Sequence, residues 1–221
     1  MITDLIEEAL IAHQFVKAHV TETSRFYIRD IGAAIRFTIL HNLDELMKPE
    51  EINAALSNLV PEELSNNPSF RKNCDLICIH KLDKLSEFKN HEEQIFAIEE
   101  DPHFFKKYVL YYSDVEEQAL NSLNYTDLEA IIADKSLFNT YKEMPLSATL
   151  YSVVAKVFIK LPFLELPFVK GDLVPLRLQA EEAVSEVGLS KVYEKIQKYS
   201  SLTVDAMIKE MINDELANIK N

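Results

Sequence analysis

The sequence predicts an all-α protein, a compact irregular multi-helix domain with little or no β structure. Three observations support this prediction. Apolar residues recur at helical spacing, helix-capping patterns are frequent, and the 221 residues include only three glycines and no Asn-Gly or Asp-Gly hairpin signal. About ten helices packed on one another would account for the pattern. The predicted helical segments are 4–19, 25–46, 49–58, 69–88, 102–112, 114–123, 126–134, 147–160, 175–187, 190–199 and 204–219.

Helix starts are marked by capping boxes and by proline at a first helical position. The boxes pair Asp4 with Glu7, Ser113 with Glu116 and Thr126 with Glu129, and the prolines are Pro49, Pro68 and Pro102. Two stretches, ICIHKL and QIFAI, alternate as strands do, but both also fit a helix. We expect one domain over residues 1–221, with residues 88–94 as a secondary candidate boundary because polar residues gather there.

The charge balance bears on the class of partner. The chain has 36 acidic and 23 basic residues, a formal charge of −13. This balance disfavours direct binding of nucleic acid, which needs a surface that neutralises phosphates. An acidic surface would instead steer a basic partner. The sequence contains two cysteines, no signal-peptide pattern and no apolar run long enough for a membrane span, so we expect a cytoplasmic protein without a membrane segment.

Catalytic and metal motifs do not support an enzyme. The patterns G-x-S-x-G, G-x-x-x-x-G-K-[ST], G-x-G-x-x-G and H-E-x-x-H are absent. Cys74 and Cys78 would share one helix face, but no second pair completes a zinc set, so we interpret both as core residues. We therefore predict no cofactor, no metal and no catalytic residue.

The segment RFYIRDIGAAIRF concentrates positive charge in apolar surroundings. On a helix, Arg25, Arg29 and Arg36 would lie within about 40° of one another and form one cationic stripe. One interpretation pairs these arginines with the chain's own acids. The other interpretation makes the stripe a binding site for an acidic surface, a carboxylate or a phosphate, which the planar guanidinium suits.

The segment FIKLPFLELPFVKGDLVP repeats Leu-Pro-Phe and cannot continue a helix, because each proline disfavours helical geometry in the residue before it. The segment is too apolar for an ordinary exposed loop. Either it wraps the core, or it forms an exposed apolar ridge for a protein partner. The candidate partner-binding residues are Leu161, Phe163, Leu164, Leu166 and Phe168.

These features together favour a non-catalytic adaptor or accessory subunit that binds other proteins within a larger cytoplasmic complex, for instance an ATPase- or nuclease-containing machine. The alternative is a helical enzyme or small-ligand binder that holds an anionic group at Arg25, Arg29 and Arg36. Burial of Phe163 and Phe168 would count against the ridge. Convergence of Arg29 and Arg36 on a concave pocket would favour ligand binding.

Overall fold

A computed structural model of the chain describes residues 2–31, 34–167 and 176–198, together with residues 206, 208–209 and 212–213. The chain divides into two compact units, Met1–Pro167 and Phe168–Asn221. The first unit contains a five-stranded mixed sheet with helices on both faces. The all-α prediction is therefore wrong, and the fold is α/β.

The strands follow one another in the sheet in chain order, β1-β2-β3-β4-β5. The pairs β1–β2 and β2–β3 are antiparallel, whereas β3–β4 and β4–β5 are parallel. Helices therefore connect β3 to β4 and β4 to β5, as parallel neighbours require. The strands are β1 (Val16–Val20), β2 (Ser24–Ile31), β3 (Ala34–Leu43), β4 (Cys74–Leu82) and β5 (Lys106–Ser113).

Eight helices of the first unit are described. They are α1 (Ile2–Ala12), α2 (Pro49–Leu59), α3 (Glu62–Ser65), α4 (Phe88–Glu100), α5 (Asp114–Ala119), α6 (Tyr125–Ala133), α7 (Lys135–Glu143) and α8 (Leu150–Lys160). The predicted helices at 49–58, 114–123, 126–134 and 147–160 correspond to α2, α5, α6 and α8. Pro49 and the Ser113–Glu116 capping box mark helix starts as predicted. Residues 88–94, the secondary candidate boundary, lie in α4.

Three predicted helices are strands instead. The segments 25–46, 69–88 and 102–112 contain most of β2 and β3, the whole of β4 and most of β5, respectively. Strands buried on both faces lose the alternation of polar and apolar residues, so their apolar runs resemble buried helices. ICIHKL lies in β4, whereas QIFAI lies in α4.

The sheet separates two apolar cores. On one face, which we call the α8 face, residues of α1, α6 and α8 pack against strand residues that include Tyr27, Leu40, Ile77 and Leu110. On the opposite face, the α2 face, residues of α2, α3 and α4 pack against strand residues that include Phe26, Ile39, Leu76 and Val109. Strands β2 to β5 thus send alternate side chains into different cores, as the pleat requires, whereas every residue of β1 is exposed.

Buried polar groups in the α2 face are held by specific partners. The Lys107 side chain is fully buried, and its Nζ lies 2.7 Å from Asp101 Oδ2. The same ammonium donates to the carbonyl oxygens of His103 and Phe105. Asn53 Nδ2 donates to Asp101 Oδ2 over 2.9 Å, which connects α2 to the turn before β5. A buried cation is tolerated when its donors are used in this way.

The second unit contains α9 (Leu176–Glu186) and α10 (Ser190–Lys198), as the segments 175–187 and 190–199 predict. Gly188 ends α9 with a φ of 72°, a conformation that favours glycine. Leu189 N donates to Val184 O and Gly188 N to Ser185 O, which satisfies carbonyls at the helix end. The predicted helix 204–219 lies largely outside the described residues.

His41 makes the folded state sensitive to acid. It is buried, and its Nδ1 lies 2.8 Å from Ser24 Oγ. Burial lowers the pKa of His41, and a hydrogen bond with the Thr23 backbone opposes the shift without reversing it. Below about pH 6.5 the unfolded chain therefore binds a proton that the folded chain does not, and the free energy of unfolding falls as pH decreases.

We expect His41→Gln to reduce the loss of stability between about pH 7.5 and about pH 5.5. Urea denaturation at both pH values measures this loss. His19→Gln is the matched control, because His19 is exposed on β1 and should leave the pH dependence as in the wild type. Equal pH dependence in the wild type and His41→Gln would contradict the assignment.

Candidate functional site

The β2–β3 hairpin places the three predicted arginines on one face of the sheet. Arg25 and Arg29 share a face because they are four residues apart on β2. Arg36 of β3 lies directly opposite Arg29 in the antiparallel register. All three side chains therefore belong to the α8 face, although the predicted helical stripe does not exist.

Arg25 is paired within the chain. Its Nη1 lies 2.7 Å from Glu7 Oε2 and 3.2 Å from Asp4 Oδ1, both on α1. Lys17 also forms an ion pair with Glu7. Burial alone would lower the pKa of Arg25, but hydrogen bonds to Asp4 and Glu7 raise it. Arg25 thus attaches α1 to the sheet, as the first interpretation of the arginines expects.

Arg29 and Arg36 lack such partners. Arg29 Cζ lies 4.9 Å from the centroid of the Phe15 ring. Within the described part of the chain, neither guanidinium forms a hydrogen bond or an ion pair. Burial raises the pKa of Asp75 on β4, although the nearby cations Arg36 and Lys106 oppose the shift. We call Arg29, Arg36 and Lys106 the cationic row.

The Leu-Pro-Phe segment is divided between core and surface. Leu161 and Phe163 are 0% and 5% exposed and belong to the core of the α8 face. Leu164 packs partly against the same core, whereas Leu166 is 52% exposed. Phe168 lies outside the described residues. Of the predicted partner-binding residues that are described, only Leu166 is fully available at the surface.

Phe15 connects the two regions that the sequence singles out. Its ring centroid lies 5.2 Å from that of Phe163, and Arg29 packs over the same ring. Phe15 itself is 3% exposed. The sequence gives no signal for this contact, because Phe15, Arg29 and Phe163 are distant along the chain.

We expect Phe163→Ala to lower the free energy of unfolding by about 3–5 kcal/mol, because truncation leaves a cavity in the core. Leu166→Ala is the matched control and should change stability by less than about 0.5 kcal/mol. Urea denaturation of both variants measures the difference. Equal stability of the two variants would contradict the placement of Phe163.

The two cysteines and the histidines form no complete metal site. Cys74 and Cys78 are buried in β4, where burial raises the pKa of both thiols, that of Cys78 to about 12. His80 Nδ1 lies 2.9 Å from Leu43 O, and the rings of His80 and His91 are 6.3 Å apart in a cleft at the carboxyl ends of β3 and β4. Among the described residues, no group of three potential ligands is placed to hold a metal ion.

A cavity of about 530 Å³ lies at the carboxyl end of β5. Phe88, Tyr111 and Tyr141 supply its aromatic side chains, and Ser152 and Lys156 of α8 also line it. The rings of Phe88 and Tyr111 stack with centroids 4.5 Å apart. The predicted arginines do not line this cavity or the histidine cleft, so they do not converge on either pocket.

A buried carboxylate organises the polar side of this cavity. Glu116 is 0% exposed and accepts hydrogen bonds from Ser113 N, from Ser152 Oγ at 2.6 Å and from Lys156 Nζ at 2.7 Å. Lys156 also lies over the Tyr111 ring. Burial lowers the pKa of Lys156, although Glu116 stabilises its charged form. Both oxygens of Glu116 accept hydrogen bonds from the chain, so we interpret this carboxylate as a structural connection between β5 and α8.

We expect Glu116→Ala to lower the free energy of unfolding by about 3–5 kcal/mol, because Lys156 becomes a buried charge without a partner. Adding Lys156→Met should recover part of the loss. Glu117→Ala, which breaks the surface ion pair with Lys81, is the control and should cost less than about 1 kcal/mol. Denaturant titrations that give Glu116→Ala no greater cost than Glu117→Ala would contradict the assignment.

Several exposed apolar side chains lie in α7 and in the loop after it, and one of them borders the cavity. Helix α7 has no buried residue, and the loop that follows it contributes Leu146 to the cavity wall. We define the α7 patch as Leu137, Phe138, Met144 and Leu146, which are 38%, 43%, 58% and 80% exposed. Several exposed apolar side chains on one short segment favour a protein contact. Sequence reasoning missed this patch, since residues 135–146 lie between the predicted helices 126–134 and 147–160 and were assigned no element.

The described residues thus define an α/β protein with a helix-covered sheet, an aromatic cavity and an unpaired cationic row. Residues 35–136 match the family model described as ABC-three component (ABC-3C) system Middle Component 1. The matched segment includes nearly all of β3, the whole of β4 and β5, and helices α2 to α6. No curated protein and no solved structure matches the chain.

This similarity is to one component of a multi-component system. It bears out the coarse part of the functional prediction, a subunit of a multi-protein complex. A binding role for the Leu-Pro-Phe segment and for Arg25, Arg29 and Arg36 remains a prediction. Among the described residues, no helix combines the length and apolar character needed to cross a bilayer.

Proposed function

We propose that this protein is a non-catalytic subunit that binds other proteins of a multi-component assembly. The observation that carries the proposal is the match of residues 35–136 to Middle Component 1 of the ABC-three component system. That segment builds the parallel part of the sheet. A component that joins others needs contact surfaces, and the α7 patch supplies one beside the matched segment.

The geometry of the α7 patch supports a protein partner. Leu146 is 80% exposed next to a cavity whose walls include Phe88, Tyr111 and Tyr141. Side chains that anchor protein interfaces insert into pockets of this kind, where they lose contact with water. The polar margin includes Lys89 and Glu92. An apolar centre with a charged margin is the usual anatomy of a protein interface.

The test is purification of the tagged protein from the cells in which it occurs, followed by sizing of the eluate. We expect a stoichiometric complex with the wild type and its loss with Phe138→Asp combined with Leu146→Asp. The far-ultraviolet circular dichroism should stay unchanged, because both side chains are exposed, and loss of the contact between the Phe138 and Tyr151 rings should lower the melting temperature only slightly.

Ile11→Asp is the matched control, because Ile11 is an apolar residue of α1 that is 59% exposed. This variant should retain the complex. A wild-type protein that elutes alone would contradict the proposed function. Loss of the complex in Ile11→Asp as well would contradict the assignment of the contact to the α7 patch.

A further inference from the structure

We propose that the cationic row, Arg29, Arg36 and Lys106, binds an acidic segment of a partner protein. This inference rests on the proposed function and assigns the chemistry of one contact. It concerns a surface distinct from the α7 patch, which is apolar. The row lies on the α8 face, where β2, β3 and β5 contribute one cation each.

Two adjacent cations of the row, Arg29 and Arg36, form no ion pair within the described residues, although Asp75 lies near Arg36. Arg29 and Arg36 occupy directly opposed positions of β2 and β3, where like charges destabilise a sheet. Among the described residues, neither forms an ion pair, in a chain with 36 acidic residues. Arg25 on the same face receives two carboxylates from α1. Within the described residues, Arg25 of β2 is therefore neutralised by carboxylates and Arg29 of β2 is not.

The side chain of Arg29 is restrained by an aromatic ring. Its guanidinium lies over the Phe15 ring, and Phe15 is packed against Phe163 in the core. Stacking on a fixed ring restricts the side chain while it leaves the N–H donors at the edge of the guanidinium plane available. The restrained guanidinium of Arg29 therefore loses less conformational entropy when it donates to a carboxylate than the guanidinium of a free side chain does.

The spacing of the cations in the row suits the side chains of an extended peptide. Adjacent strands are about 4.8 Å apart, so β2 and β5 lie about 14 Å apart across the sheet, and Lys106, which is level with Asp75 and Thr38, lies two residues along the strands from Arg36. Lys106 extends the row on β5, where its ammonium lies 5.3 Å from the centroid of the Tyr108 ring. In an extended peptide, side chains on one face recur about every 6.5–7 Å. Two or three such carboxylates would therefore reach the row together.

The surroundings favour carboxylates over a nucleic acid. Asp75 lies near Arg36 and Lys106, and it reduces the positive charge of the row. The chain as a whole carries −13, which opposes a long phosphate backbone. At physiological ionic strength the Debye length is about 8 Å, so distant acids are screened while the row still acts on a group in contact with it.

The test is fluorescence anisotropy of the full-length protein with a labelled peptide of alternating Glu and Ser residues. A peptide in which Gln replaces every Glu is the uncharged probe, and a single-stranded DNA oligonucleotide is the phosphate probe. We expect the Glu peptide to bind more tightly than both, with an affinity that decreases as salt increases. Arg29→Gln combined with Arg36→Gln should weaken binding of the Glu peptide about tenfold or more.

Arg71→Gln is the matched control, because Arg71 also packs over an aromatic ring, Phe104, but lies outside the row. It should change the affinity less than about twofold, a small fraction of the effect of losing a charge-assisted pair. Equal affinity for the Glu and Gln peptides, tighter binding of the oligonucleotide, or an equal loss in Arg71→Gln would each overturn the inference. Failure of this experiment leaves the purification test of the α7 patch unaffected, so the two results are distinguishable.

Discussion

Burial of the sheet on both faces is the constraint on which the rest of the structure depends. Parallel strands cannot be joined by tight turns, so helices must cross over the sheet between β3, β4 and β5. The connecting helices α2 and α4 cover one face, and α1, α6 and α8 cover the other. Because the side chains of a strand alternate between faces, the covered strands β3, β4 and β5 need apolar residues at nearly every central position.

The polar residues inside this arrangement connect its layers. Glu116 joins the turn after β5 to α8, and Lys107 joins β5 to the turn that precedes it. At the edge of the sheet, Glu99 of α4 accepts from Val109 N and from Lys160 of α8. This carboxylate occupies a backbone donor that would otherwise be free at β5. It thereby protects an edge strand from unwanted pairing.

The two surfaces proposed as contacts differ in chemistry. The α7 patch is apolar and includes Leu146 at the wall of an aromatic cavity, whereas the cationic row is charged. A component that holds two neighbours in a larger assembly needs contacts of different chemistry, because each neighbour must be distinguished from the other.

The sequence by itself determined helices such as α2, α8 and α10, whose apolar residues recur at helical spacing. It also determined the start of α5 at Ser113. It also determined the proximity of Arg29 and Arg36, although for the wrong reason. A helix would align residues seven apart, and the antiparallel register of β2 and β3 does so as well. The acidic composition and the absence of catalytic motifs pointed towards a binding protein.

Only the tertiary structure decided that residues 25–46, 69–88 and 102–112 contain strands. Their apolar residues occur on every side of the segment, a pattern that fits both a buried helix and a strand covered on both faces. Which of the two forms depends on distant helices that cover both faces of the sheet. The same long-range packing buried Phe163, exposed the α7 patch and gave Arg25 its carboxylates. Local periodicity indicates which residues are buried, whereas the packing of helices on the sheet determines which residues they contact.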